Sequence, residues 1–217
     1  MRLPILATIF LGAAAQPLVA QTPAATLERA IAAYAKVKTV RATFTQTLTN
    51  PLLGTKTEAR GEVVQQRPQY VSVRFTEPAG DRIVADGEWI WIYLPSSNPG
   101  QVIRTPIGSD GSGVPDVTAQ FLTAPRERYT VRDGGRGTAA GRPAHILALT
   151  ARDQTLPFTT ANVWVDDADG LVRQFETTDP SGLVRRVTMT RLTTNGAVDR
   201  EVFRFTPPKG VTVFSQS

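Results

Sequence analysis

The chain has 217 residues, of which 41% are hydrophobic and 20% are charged, and its formal net charge is +5. These proportions are ordinary for a soluble globular protein. The chain contains no cysteine, which excludes disulfides, thiolate nucleophiles and cysteine-ligated metals. The positive charge is carried mostly by scattered arginines, without a basic run or a nucleic-acid-binding motif. We therefore expect no nucleic acid among its partners.

Residues 1–20 are predicted to be an export signal rather than part of the fold. Arg2 supplies a positive charge, and residues 5–15 form an apolar stretch too short to cross a bilayer. Ala20 offers a small residue for cleavage, and Ala15 is a second possible cleavage position. We expect the signal peptide to be cleaved and the mature protein to lie in the periplasm. A retained membrane anchor is the alternative.

The mature part, residues 21–217, is predicted to form a single domain that begins with one helix. Thr22 and Pro23 suit the N-cap and the first position of a helix. Apolar residues then recur at helical spacing as far as Val37. From Val40 onward apolar and polar residues alternate, which is typical of β-strands.

About a dozen short candidate strands follow, separated by turns rich in Gly, Pro, Asp and Asn. Only Pro115–Leu122 interrupts them with another short helical pattern. We expect one predominantly antiparallel β domain, a barrel or a sandwich, with a few accessory helices. The candidate strands are Arg41–Leu48, Thr57–Gln65, Tyr70–Thr76, Arg82–Ala85, Glu88–Leu94, Val102–Thr105, Tyr129–Arg132, Ala144–Thr150, Asn162–Asp166, Leu171–Thr177, Leu183–Leu192 and Val202–Phe205.

The segment Asp86–Pro95 contains six large apolar side chains in a row. Alternate side chains of a strand point to opposite faces, so the Trp and Tyr residues share one face and the aliphatic residues share the other. A two-residue turn at Asp86-Gly87 would place Val84 opposite Trp89. The aromatic face, with its polar N–H and O–H groups, suits a wet or partner-facing surface, whereas the aliphatic face suits a dry interior.

The aliphatic face continues on the preceding strand, where alternate apolar residues also point inward. An ordinary closed core and a ligand cavity are both consistent with this pattern. We expect six residues of the two strand pairs to line one apolar cavity: Val71, Val73, Phe75, Ile83, Ile90 and Ile92.

Three parts of the sequence contain residues typical of metal or cofactor sites, and none of them carries a complete motif. His145 is the single histidine and cannot by itself build a histidine-based metal site, so we expect it to point to solvent or to a rim. Asp166–Gly170 lacks the spacing of a calcium loop and is predicted to be a turn. Gly134–Gly141 contains a dinucleotide-binding pattern, but Arg142-Pro143 and another strand follow it where the pattern requires a helix, so we expect a hairpin loop. The sequence therefore predicts no enzyme, no metal and no cofactor.

Five segments, in order along nearly the whole mature chain, resemble the periplasmic outer-membrane lipoprotein carrier family, LolA. The fold that this resemblance implies is an incomplete, unclosed antiparallel β-barrel of about 11 strands, with a few helices forming a lid over an apolar cavity. The segments are RATFTQ (Arg41–Gln46), QRPQYVSVRFTEP (Gln66–Pro78), RIVADGEWIWIYLP (Arg82–Pro95), NGAVD (Asn195–Asp199) and FRFTPPKGVTV (Phe203–Val213).

The resemblance also implies a function. Proteins of this family receive acylated lipoproteins from an inner-membrane ABC exporter and pass them to an acceptor at the outer membrane. In the family, an arginine in an RP motif closes the lid through hydrogen bonds to lid carbonyls, and Arg67 matches it. A large aromatic residue often follows four positions later and serves cargo reception, whereas this chain has Val71 there. We expect a monomer, and a periplasmic carrier or sensor of other lipids with the same half-barrel cavity is the alternative.

Overall fold

The computed structural model describes residues 22–108, 113–153 and 156–216. The fold is mainly β, as the sequence predicts. The helices are α1 Pro23–Ala35, α2 Ala119–Leu122 and α3 Pro125–Arg128, with a 3₁₀ helix at Arg200–Phe203. The strands are β1 Thr39–Asn50, β2 Thr55–Gln66, β3 Tyr70–Glu77, β4 Arg82–Asp86, β5 Trp89–Tyr93, β6 Gln101–Pro106, β7 Tyr129–Ala139, β8 Arg142–Ala151, β9 Thr160–Asp166, β10 Val172–Thr178, β11 Val184–Thr194 and β12 Thr212–Ser215.

Helix α1 begins where the sequence predicts. Thr22 is its N-cap, and the Thr22 hydroxyl accepts a hydrogen bond from the amide of Ala25 at 3.2 Å, while Pro23 occupies the first turn. Leu27 and Ala30 are buried against the sheet. No helix among the described residues is long and apolar enough to span a membrane. The predicted signal peptide lies outside the described residues.

All twelve strands belong to one sheet, in the order β12-β6-β5-β4-β3-β2-β1-β11-β10-β9-β8-β7. Neighbours pair antiparallel, except that β12 runs parallel to β6. The edge strands β12 and β7 do not pair with each other, so the sheet curls without closing. The predicted unclosed antiparallel sheet is confirmed, with one strand more than expected.

The inner face of this sheet is the face on which α1 and α2 pack. It carries the main hydrophobic core, which joins Leu27 of α1 and Phe121 of α2 to apolar residues of β1 and β7 to β11. A second, smaller apolar cluster lies on the inner face of β3, β4 and β5. The site described below lies where helices and sheet meet.

The predicted two-residue turn between β4 and β5 is wrong. Ala85 pairs with Ile90 and Val84 with Trp91, so four residues form the turn. The carboxylate of Asp86 explains the longer turn, because its Oδ1 accepts hydrogen bonds from the amides of Glu88 and Trp89. The register therefore differs from the prediction by two residues. A shift of two preserves the faces, because the side-chain period of a strand is two.

The predicted strand Val202–Phe205 is wrong as well, since a 3₁₀ helix occupies Arg200–Phe203. This helix and the residues after it cover part of the outer face of the sheet, over β3 to β5. Phe203 is 2% exposed and packs at 5.5 Å from the ring of Tyr70, and Phe205 packs at 5.7 Å from Trp91. The aromatic face of β5 is therefore partly covered by the C-terminal part of its own chain, and its Trp and Tyr residues remain partly exposed.

Two local expectations also need correction. The predicted helix Pro115–Leu122 forms only from Ala119, where helix α2 begins. The predicted hairpin loop Gly134–Gly141 is mostly strand, because β7 continues to Ala139 with an irregularity between Asp133 and Arg136. Only the last two residues of that segment form the turn to β8. Glycine-rich strands at a sheet edge are easily misread as loops, because glycine weakens the strand pattern.

Candidate functional site

The structure places five of the six predicted cavity residues in one packed apolar cluster on the inner face, and none of the six lines the small apolar cavity between the helices and the sheet. Val71 and Ile90 are 1% and 7% exposed, and Val73, Ile83 and Ile92 are partly buried around them. Ile107 and Val114, from the connection between β6 and α2, pack against the same cluster. The sixth residue, Phe75, packs with the neighbouring main core, edge-on to the Phe44 ring at 5.4 Å.

Arg67 lies in the turn after β2 and reaches the end of α1. Its Nη1 donates hydrogen bonds to the carbonyl oxygens of Tyr34 and Val37 at 3.0 and 3.1 Å. Its guanidinium also lies 4.0 Å from the centre of the Tyr34 ring. The last carbonyls of a helix have no partner within the helix and carry partial negative charge, so a cation is favourable there.

Asp116 is the hub of the contacts around Arg67. Its Oδ2 accepts hydrogen bonds from the Tyr34 hydroxyl at 2.5 Å and from Gln65 Nε2 at 2.9 Å, and lies 3.7 Å from Arg67 Nε. Its Oδ1 accepts from the amides of Thr118 and Ala119 at the start of α2. One carboxylate thus joins α1, the end of β2 and the start of α2. We call Tyr34, Gln65, Arg67 and Asp116 the latch.

The latch is partly shielded from water. Gln65 is 7% exposed, and the side chains of Asp116 and Arg67 are 14% and 30% exposed. Burial and the hydrogen bond to the Asp116 carboxylate raise the pKa of Tyr34 well above its usual range. The Tyr34 hydroxyl therefore stays protonated at neutral pH and can donate its hydrogen bond to Asp116.

A small apolar cavity of about 40 Å³ lies directly beneath the latch. Residues of α1, the segment around α2, and the inner faces of β1, β2, β10 and β11 line it. About 10–15 Å³ on this measure holds one water molecule, so the cavity has room for a few waters but is too small for an acyl chain. The lining residues are Ala30, Tyr34, Val37, Val40, Val63, Gln65, Val117, Thr118, Leu122, Gly170, Leu171, Val172, Met189, Leu192 and Thr194.

A separate charged network ties α1 to the sheet. Arg29 of α1 donates to the carbonyl of Asp167 at 3.3 Å. Next to it, the buried carboxylate of Asp166 accepts hydrogen bonds from Arg142 and Arg173. Burial opposes ionisation of Asp166, but hydrogen bonds from Arg142, the Ala168 amide and Arg173 outweigh it and lower its pKa. The predicted turn at this position is confirmed, and it also anchors α1.

Two features of the site region were not predicted from the sequence. Asp116 follows a proline just before a helical pattern, which is a recognisable capping position, but its other partners come from distant elements. His145 is 3% exposed, with Nε2 at 2.8 Å from Asp133 Oδ1, so the expectation of a solvent-facing histidine is wrong. It shares the inner face with Leu147 and Leu149, in step with strand alternation.

Comparisons with known proteins agree with this architecture. The family model described as outer membrane lipoprotein carrier protein LolA matches residues 35–206. Outer-membrane lipoprotein carrier proteins of Salmonella typhimurium and Salmonella newport are each 28% identical over 182 residues, covering 83% of this chain and 83% of the relative. The crystal structure of an uncharacterized conserved protein from Thermus thermophilus superposes with a TM-score of 0.54 at 14% identity, covering 88% of this chain and 97% of that one, which supports the fold alone. Because the family match spans most of the sequence, the chain belongs to the outer membrane lipoprotein carrier protein LolA family.

Proposed function

We propose that this protein is a periplasmic carrier that binds the acyl chains of lipoproteins released from the inner membrane and delivers them to the outer membrane. The observation that carries the proposal is an unclosed sheet whose apolar inner face is covered by helical segments and closed by a polar latch. Family membership supports the same role. The proposed partners are acylated lipoproteins, an inner-membrane ABC exporter, and an acceptor or the membrane itself at the outer membrane.

Acyl chains need such a covered face to cross an aqueous compartment. Burial of each CH₂ group contributes about 0.8 kcal/mol, so one long chain contributes on the order of 10 kcal/mol before the costs of binding. A carrier must shield this surface and still release it to the next site. A lid that exchanges its own apolar contacts for those of the lipid meets both requirements.

In this proposal the closed structure opens when Ile107 and the segment from Val114 to the start of α2 move away from the sheet. The cavity of about 40 Å³ beneath the latch is too small for an acyl chain, so cargo has to displace part of the lid. Ile107 and Val114 cover the inner-face cluster around Val71 and Ile90. Moving these two residues away would give an acyl chain the apolar surface that they now occupy.

Arg67 and Asp116 set the strength of that closure. The latch joins α1 to the start of α2, so these two segments must separate before the inner face can open. A second contact holds the middle of α1, because Arg29 donates a hydrogen bond to the carbonyl of Asp167 in the turn between β9 and β10. We assign the opening motion to the α2 side and to the C-terminal end of α1, where Arg67 binds the carbonyls of Tyr34 and Val37.

A competition experiment tests the proposal. An environment-sensitive apolar dye should bind the purified protein, and a tripalmitoylated lipopeptide should displace it. The same peptide without acyl chains is the control and should not compete. Failure of the lipopeptide to displace the dye at any concentration would contradict the carrier function. Equal displacement by a diacyl phospholipid would favour a carrier of other lipids.

A further inference from the structure

The turn between β1 and β2 exposes two adjacent leucines. Leu52 and Leu53 are 84% and 73% exposed, the highest values among the large exposed apolar residues of the described ranges. Single exposed apolar residues are common on protein surfaces and need no explanation. Two adjacent leucines, both largely exposed at the end of a hairpin, form an apolar surface that does need an explanation. We call residues 50–54 the tip.

The tip is a turn held by hydrogen bonds. The Asn50 side-chain oxygen accepts hydrogen bonds from the amides of Leu52 and Leu53 at 3.0 and 3.2 Å. Gly54 follows with a φ of +63°, a conformation that glycine adopts without strain. These contacts hold the backbone of the turn, and both leucine side chains remain exposed on it.

The tip also stands clear of the sheet on one side. Strand β2 pairs with β1 from Thr55 onward, but β3 pairs with β2 only from Arg60 onward. Residues 55–59 therefore extend past the end of β3, by roughly 16 Å at the rise of a β-strand. The leucines lie at the end of this projection.

A groove on the inner face leads toward the tip. It has a volume of about 200 Å³ and a mixed lining, in which Val117, Leu48 and Leu183 lie beside polar residues that include Asp179 and Arg185. Val117 also lines the small cavity beneath the latch, so the groove begins at the lid. Leu48 lies two residues before Asn50, and Leu183 precedes Val184, which pairs with Thr49. The far end of the groove therefore lies beside the base of the tip.

We propose that the tip inserts Leu52 and Leu53 into the surface of a phospholipid bilayer, and that acyl chains leave along the adjoining groove. A protein partner fits less well, because stable protein interfaces bury about 800 Å² on each side and two leucines offer a small fraction of that. Two leucines also contain fewer CH₂ groups than a myristoyl chain, which by itself gives only reversible membrane binding. Reversible contact suits delivery. Removal of Arg2 with the predicted signal lowers the net charge from +5 to +4, and this positive charge favours anionic headgroups.

The role in delivery rests on the proposed carrier function, but membrane contact can be measured independently of it. The chain lacks cysteine, so Leu53→Cys gives one labelling position for an environment-sensitive fluorophore. Vesicles of phosphatidylethanolamine and phosphatidylglycerol should shift its emission to shorter wavelength. The control is Lys209→Cys, an exposed position near β12, which lies six strands from β1 and should report no shift.

Vesicle flotation gives the quantitative comparison. Leu52→Asn combined with Leu53→Asn should reduce the affinity for these vesicles by at least about tenfold, since each leucine loses its favourable transfer from water. Phe214→Asn, at a residue 46% exposed on the far edge strand, is the matched control and should float like the parent. Both variants change exposed side chains, and unchanged urea midpoints would establish that they are folded.

Lipopeptide competition separates this inference from the carrier function. The tip double variant should bind lipopeptide like the parent but deliver it to protein-free vesicles more slowly. A parent that binds vesicles through the tip but binds no lipopeptide would contradict the carrier function alone. If the label at position 53 does not shift with vesicles, or the double variant floats like the parent, membrane insertion by the tip is wrong. A shift that requires an added membrane protein would also overturn it.

Discussion

Substitution of Arg67 by leucine should hold the lid open and trap cargo. The change removes two hydrogen bonds to the carbonyls of Tyr34 and Val37 and the 3.7 Å ion pair with Asp116. Hydrogen bonds to a charged group contribute about 1.5–3 kcal/mol each. The Arg67 side chain is 30% exposed, and water and salt screen part of this energy. We take about 2 kcal/mol in total, which shifts the ratio of open to closed forms by roughly thirtyfold.

The expected phenotype follows from that shift. Arg67→Leu should fold and accept lipoprotein, but it should release cargo poorly, because lid closure no longer competes with the acyl chains. The variant should therefore accumulate as a loaded complex. Arg67→Lys should show a weaker form of the defect, because an ammonium group lacks the planar fork that reaches two carbonyls at once.

The assay is co-purification of lipoprotein with each variant, followed by transfer to vesicles or to outer membranes. Arg74→Leu is the matched control, since Arg74 lies on the neighbouring strand β3 but points to the outer face and pairs with Glu62 at 2.8 Å. It should load and unload like the parent. If Arg67→Leu behaves in the same way as this control, the latch does not govern release.

Three further substitutions test the latch and the fold. Asp116→Asn should also favour the open lid, and its effect on release should be less than additive with that of Arg67→Leu, because both act on one set of contacts. Asp166→Asn should lower stability at neutral pH by about 3 kcal/mol. The lowered pKa of Asp166 stabilises the parent above about pH 4 and this contribution is lost as the pH falls further, so urea unfolding of parent and variant should converge in acid. Gly61→Ala should cost about 2 kcal/mol in the same assay, because its Cβ would collide with the backbone oxygen of Arg74, whereas Gly196→Ala, with nothing within 4 Å, should be neutral.

Strand alternation predicted which side chains share a face, but it did not predict the turns. The inner cluster of β3 to β5 lies where alternation places it, even though the β4–β5 register is shifted by two residues. The Asp86 carboxylate sets the length of the turn, because it accepts hydrogen bonds from the amides of Glu88 and Trp89. In a two-residue turn these two amides would have had other partners. Local side-chain hydrogen bonds of this kind compete with strand pairing and leave little trace in the hydrophobic pattern.

The latch could be predicted only in part. Arg67 was found through the family resemblance, whereas Asp116 and Gln65 are polar residues whose partners lie far away in the sequence. The 3₁₀ helix at Arg200–Phe203 was missed for a related reason. Phe203 and Phe205 alternate as in a strand, but they are held by Tyr70 and Trp91 on the outer face of the sheet rather than by a strand partner. Tertiary contacts decide such segments, and the local sequence does not record them.

The most direct test of acyl-chain binding beneath the lid is photo-crosslinking with a lipopeptide that carries a photoreactive group near the end of one acyl chain. Crosslinks located by mass spectrometry should fall on inner-face residues, Val71, Ile90 and Ile92 foremost, and the peptide without acyl chains should give none. Trp164 lies on the opposite face of the sheet, since it pairs with Ile146 outside the core. Crosslinks confined to Trp164 and its outer-face neighbours would contradict the proposed mode of binding.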